Sequence, residues 1–237
     1  MSGLEVVLVL ALVAAGATVQ GSVGIGLGLV AAPGLVAIDP AFAPGPILLV
    51  GVVVGARHVF VERPYADWSA LRNCAIGLPF GLAAALGVLA LVDDRTMKIL
   101  VGITTALAAA AILAGGVVQR TRTTEIGAGA TCAFAAVTAG LPGPPLVIVF
   151  SAMSPNAMRF TTSAFISSVA VVSAAALPAS GNFGTRELEL LALLVPGAAA
   201  GLALARFVRP VLAGPRFRTA ILVIAILGGL TLAIRSW

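Results

Sequence analysis

Residues 6–38 hold no charged side chain. A surface helix of a soluble domain needs a polar face, so a run of this length seldom survives in water. One helix needs about 20 apolar residues to cross the hydrocarbon of a bilayer. The stretch is too long for one crossing and barely long enough for two. Residues 126–154 repeat the situation. Shorter apolar runs occupy residues 41–56, 74–92, 99–118, 160–179, 190–205 and 220–234, and the charged residues collect between them. Only 10% of the 237 residues are charged, against roughly 25% in soluble chains. Lipid must therefore be the solvent for most of the chain, and the expected fold class is an all-α polytopic membrane protein.

The net charge of +5 does not point to nucleic acid. The basic residues sit in short segments between apolar runs, where the positive-inside rule puts them, and form no stripe on a soluble face. The N-terminus lacks the positive region of a signal peptide: Glu5 is its only early charge. It reads as a retained first membrane segment.

The two long runs share punctuation as well as length. The first contains Gln20-Gly21-Ser22-Val23-Gly24-Ile25-Gly26-Leu27-Gly28, the second Thr138-Ala139-Gly140-Leu141-Pro142-Gly143-Pro144-Pro145. Gly24 and Gly140 lie 116 residues apart, and Pro79 and Pro196 lie 117 apart. The chain therefore reads as a tandem duplication with a first repeat over residues 1–120 and a second over 121–237. Each repeat holds a broken run (about 4–38 and 126–153) followed by three ordinary spans. If the second broken run is a hairpin, Arg57, Arg63, Arg72, Arg120, Arg122, Arg159, Arg206, Arg209, Arg216 and Arg218 share one side, and Arg95, Lys98, Arg186 and Arg235 the other. If it crosses once, the 14 basic residues split evenly. The positive-inside rule selects the hairpin. By symmetry the first run is a hairpin too, which makes the two repeats inverted. The arginine-rich side is then cytoplasmic and both termini are external, in the inner membrane of a cell.

Breaking a helix inside hydrocarbon frees backbone N–H and C=O groups, each costing several kcal/mol if unpaired. Such breaks persist where protein or a water-lined cavity covers them. A half-helix N-terminus presents free N–H groups and the positive end of a dipole, which suits an anion. Paired Gly/Pro interruptions in two halves are the best sequence pointer to a transporter site. The candidate binding residues are Gln20, Ser22, Gly24, Gly26 and Gly28 from the first break. Thr138, Gly140, Pro142, Gly143 and Pro144 come from the second. Arg57 is a candidate guard at the cytoplasmic mouth. Gly51/Gly55, Gly77/Gly81 and Gly197/Gly201 read instead as helix-packing pairs.

All nine acidic residues fall at loops or run ends, so no carboxylate is placed for a relay in mid-membrane. His58, the sole histidine, reads as a snorkelling interfacial residue. Trp68, Tyr65 and Trp237 read as interfacial aromatics. Thr161, Thr162, Ser163, Ser167 and Ser168 read chiefly as helix-packing and backbone-bonding residues. Cys74 and Cys132 have no metal spacing and read as small buried side chains.

At the Gly/Pro segments the chain resembles the sulfite exporter TauE/SafE family, also called TSUP. Gly21-Ser22-Val23-Gly24-Ile25-Gly26-Leu27-Gly28-Leu29-Val30-Ala31-Ala32-Pro33 is similar to the family's glycine triplets followed by an apolar run and a proline. Gly140-Leu141-Pro142-Gly143-Pro144-Pro145-Leu146-Val147 resembles its Gly-Ile-x-Gly-Pro-Pro-Leu pattern, and Asp67-Trp68 also looks familial. Where the family often has a continuous glycine triplet, this chain has Gly26-Leu27-Gly28. Leu27 narrows or reshapes that position. The resemblance implies transport of small anions, often sulfur oxyanions or organosulfonates such as sulfite, thiosulfate or sulfoacetate.

The expected function is thus a membrane transporter for a small anion bound between the two broken hairpins. The alternatives are a carboxylate or other organic-anion permease, or a non-transporting accessory subunit. An enzyme is not expected: a protease would need Ser and His or paired Asp inside the bilayer, and a metal enzyme would need ligands. No cofactor is expected. The expected partners are a small anionic solute and the lipid bilayer, with no nucleic acid; a second copy of the chain is a candidate partner.

Overall fold

Side-chain oxygens start several of the helices. Ser2 and Glu5 form a reciprocal capping box at the first helix, and Asp67, Asp93 and Thr121 cap three later ones. Each supplies an acceptor to backbone N–H groups that have no partner inside the helix. The computed structural model describes residues 1–115, 118–176, 184–212 and 215–237. Among the described residues there is no strand. The helices are α1 (Gly3–Val23), α2 (Leu27–Ile38), α3 (Gly45–Val61), α4 (Trp68–Leu89) and α5 (Asp94–Leu113), then α6 (Arg122–Ala139), α7 (Gly143–Phe150), α8 (Pro155–Ala176), α9 (Thr185–Leu212) and α10 (Pro215–Arg235). Short 3-10 turns at Pro40–Phe42 and Arg63–Tyr65 bracket α3. Residues 116–117 of the expected run 99–118 and residues 177–179 of the expected run 160–179 lie outside the described residues, as do the side chains of Arg209, Arg216 and Arg218.

By length and composition, Gly3–Ser22, Trp68–Leu89, Asp94–Leu113, Pro155–Ala176 and Thr185–Val208 can each cross a membrane. Leu27–Ile38, Gly45–Val61 and Thr219–Arg235 are shorter apolar helices. Large side chains such as Leu4, Phe80, Leu107, Phe207 and Ile234 face outward, a surface that only lipid tolerates.

Small residues govern the contacts between helices. Association inside lipid gains little from excluding water, so backbones must approach closely enough to pack. A Cβ on Gly77 or Gly81 of α4 would run into the backbone of α6 at Ile126 and Ala130. A Cβ on Gly197 of α9 would lie 2.8 Å from the Leu10 carbonyl of α1, and one on Gly201 would run into that of Ala14. α4 therefore lies on α6 as α9 lies on α1, each pair parallel. These glycines, 120 residues apart, hold the matching places in the two pairs. Pro79 and Pro196, expected to correspond, do not. Gly51 departs from the packing reading: a Cβ there would find its nearest neighbour at 3.8 Å.

α1 and α2 fold as an antiparallel hairpin, with Gly16 against Leu27 and Gly34 against Leu12. Arg186 at the start of α9 pairs with Asp39 at the end of α2, and Arg95 of α5 donates to the Ser236 carbonyl after α10. Both chain termini therefore lie at one end of the bundle. Arg120 with Asp67, and Arg159 with Glu62, mark the opposite end.

Candidate functional site

The two breaks fall where glycine stops a helix. α1 ends at Gly24 (φ 95°) and the chain turns again at Gly26 (φ 136°); α6 ends at Gly140 (φ 67°). These are left-handed conformations that cost an L side chain about 1–2 kcal/mol. The freed backbone is partly satisfied by one side chain. The Leu27 N–H, first in α2, donates to Gln20 Oε1 at 3.2 Å, and Gln20 Nε2 donates to the Gly51 carbonyl at 3.1 Å. The buried Gln20 amide thus ties α1, α2 and α3 together at the break.

The breaks touch. A Cβ on Gly28 would collide with the Gly140 carbonyl oxygen, and one on Gly143 would lie 3.3 Å from Ile25 Cβ. Between them is a cavity of about 30 Å³, room for one or two water molecules. Gln20, Gly26 and Gly28 line it from the first break, and Gly140, Pro142, Gly143 and Pro144 from the second. Leu27 also lines it and is buried. The amides of Gly28 and Leu29 belong to the first turn of α2, where a helix has no internal acceptor. The α7 start is poorer in donors, because Pro144 and Pro145 carry no N–H. No charged side chain lines the cavity.

Four expected residues lie elsewhere. Ser22 Oγ donates to the Thr18 carbonyl at 2.7 Å, and Thr138 Oγ1 to that of Phe134 at 2.8 Å. Ser22 Oγ also lies 3.5 Å from the Ala205 carbonyl of α9, so both hydroxyls serve backbone carbonyls away from the cavity. Gly24 abuts the Arg159 side chain, whose Cγ would stand 2.7 Å from a Cβ there. Arg57 is exposed on α3 and does not reach the cavity.

The sequence reading missed a buried charged cluster beside the first break. His58, expected at a membrane interface, is 1% exposed. Its Nε2 lies 3.2 Å from the Gly21 carbonyl and its Nδ1 3.4 Å from Ser163 Oγ. Arg159 Nε donates to Glu62 Oε1 at 2.7 Å, both residues buried, and Arg159 also bonds Asn156. Glu62 Oε2 is buried with no hydrogen-bond partner. The missed signal was periodicity: Gly51, Gly55, His58 and Glu62 fall on one stripe of α3, and Arg159 and Ser163 on one stripe of α8.

Glu125 is buried as well, bonded by Asn73 Nδ2 and Arg120 Nε. Arg120 also reaches Asp67. Burial raises the Asp67 pKa, but bonds from the Ala70 N–H, Arg120 and Ser69 outweigh it and hold the carboxyl below the usual aspartate range. Trp68, largely exposed, packs edge-on to Phe160 with ring centres 5.8 Å apart. Cys74 and Cys132 are fully buried free thiols.

A family model described as Sulfite exporter TauE/SafE matches residues 8–232. No curated protein and no solved structure matches the chain.

Proposed function

The chain belongs to the sulfite exporter TauE/SafE family, and from that premise we propose that it carries a small sulfur oxyanion or organosulfonate, such as sulfite, thiosulfate or sulfoacetate, across the cell membrane. One observation carries the choice of site: two glycine-terminated helix ends from distant parts of the sequence meet at a cavity free of carboxylates. The first-turn amides of α2 and the Gln20 amide are the donors for the anion. The cavity is too small for an oxyanion of four or more heavy atoms. Binding therefore requires the hairpins to part, as in rocking of residues 1–120 against 121–237 as inverted repeats. The parallel seating of α4 on α6 and of α9 on α1 supports that division. The arginine-rich end faces the cytoplasm, both termini face outward, and exposed Arg57 draws anions toward the cytoplasmic mouth.

The test is flux into proteoliposomes of purified protein, with sulfite, thiosulfate, sulfoacetate and a simple carboxylate as separate substrates. A sulfur anion should move and compete with its relatives. Gly28→Leu and Gly143→Leu, both at positions lining the cavity, should each abolish that flux while the protein still inserts. Flux unchanged in both variants removes the site, and preference for the carboxylate removes the sulfur assignment.

A further inference from the structure

We propose that His58, with Glu62 and Arg159 around it, is the site that takes up a proton as the anion crosses, making transport proton-coupled. The inference rests on the anion-transport reading and adds the coupling ion to it.

A carbonyl only accepts, so the His58 nitrogen facing Gly21 carries the hydrogen. The other nitrogen, Nδ1, keeps its lone pair and accepts from Ser163 Oγ. An arriving proton goes onto Nδ1; Ser163 Oγ then accepts instead of donating, and the contact persists with its polarity reversed. The new cation sits one helical turn from Glu62, whose Oε2 has no hydrogen-bond partner. Before protonation the trio of His58, Glu62 and Arg159 is neutral as a whole. Afterwards it carries one positive charge in a buried site, which offsets one negative charge of an anion held nearby.

The cluster is wired to the cavity. His58 holds the carbonyl of Gly21, the neighbour of Gln20, and Gln20 lines the cavity. Arg159 lies along Gly24, and Ser163 packs at Gly55, one turn from cavity-lining Gly51. The last turn of α1 is also the negative end of its dipole, which favours cations there. The charges acting on His58 are Glu62 and Arg57 of its own helix and Arg159 of α8. Arg63 of the following 3-10 turn and Arg206 of α9 are exposed. The described residues of α1 and α2 include no ionisable side chain beyond Glu5, which is at the far end of α1. Asp39 of the 3-10 turn before α3 also lies at the far end, paired with Arg186. A bare metal cation is disfavoured by the Arg159 guanidinium already on the carboxylate.

The test uses proteoliposomes loaded with a pH-sensitive dye, with thiosulfate, sulfite and sulfoacetate flux measured in parallel. Wild type should move about one proton with each anion carried, whichever of the three it is, and an imposed pH gradient should drive anion accumulation. His58→Gln retains an N–H donor but cannot titrate, and should lower the proton-to-anion ratio roughly tenfold or more. Glu62→Gln, run beside it in case the first variant fails to insert, should lower the same ratio. Anion flux in wild type without proton movement overturns the coupling while leaving transport standing. So does accumulation that follows a sodium gradient, or an unchanged ratio in a well-inserted His58→Gln. Absence of any anion flux in wild type overturns both readings.

Discussion

Gly28 and the carbonyl of Gly140 meet with no room for a methyl group between them. Gly28→Ala should lower stability by about 1–3 kcal/mol through overpacking. Gly127, where an added Cβ meets nothing within 4 Å, should gain about 0.5–1 kcal/mol from the same change, because alanine suits a helix interior better. Thermal unfolding in detergent reads both; equal shifts would mean that the breaks do not touch. The buried pair makes a second contrast. Glu62→Ala leaves the Arg159 guanidinium buried without its carboxylate and should cost about 3–5 kcal/mol. Glu62→Met with Arg159→Met should recover most of that loss. A double variant no more stable than the single one would deny the pairing. The glycines at these breaks were legible in sequence, since helix-stopping residues announce themselves locally. The Glu62–Arg159 pair was not, because 97 residues separate the partners and a polar stripe on one helix does not say which other helix it faces.

Helix ends and helix contacts obey the same division. Gly77/Gly81 and Gly197/Gly201 were readable as packing pairs, because a small-xxx-small stripe states its purpose without naming its partner. Gly51/Gly55 carry the same stripe, yet Gly51 opens onto the cavity, and only the fold separates the two uses. The prolines misled for a related reason: Pro79 and Pro196 catch the eye, but the close approaches fix the register. At the start of α4, Asp67 accepts from the Ala70 N–H at 3.0 Å and from Ser69 Oγ at 3.1 Å, and pairs with Arg120. Its pKa lies below the ordinary 3.8. The stabilisation is therefore present above that value and lost as pH falls through the lower, folded-state pKa. Solvent screening keeps it to about 1 kcal/mol or less. Unfolding temperature should fall as pH drops through the ordinary 3.8 and on below it, and Asp67→Asn should flatten that fall. A fall of equal size in the variant would assign the acid sensitivity to other carboxylates.

For the molecule as a whole, charge counting spoke only to the second run, because lipid imposes one rule on the loops it separates, and the first hairpin was expected from symmetry alone. How far apart the hairpins stand is a property of packing that no sequence rule reports. In this arrangement they are closed on one another over a space of about 30 Å³, so carrying an anion demands relative motion of the parts that bear them. The geometry offers a lock. A Cβ at Gly143 would lie 3.3 Å from that of Ile25, close to the roughly 3.5–4.5 Å at which two cysteines form a disulfide. In a background with Cys74→Ala and Cys132→Ala, the pair Ile25→Cys and Gly143→Cys should cross-link on oxidation. Flux should then fall by about tenfold or more and return on reduction, the reduced protein serving as its own control for the cost of the substitutions. Full flux through a completely cross-linked protein would show that the hairpins never need to part, and alternating access by their separation would have to be abandoned.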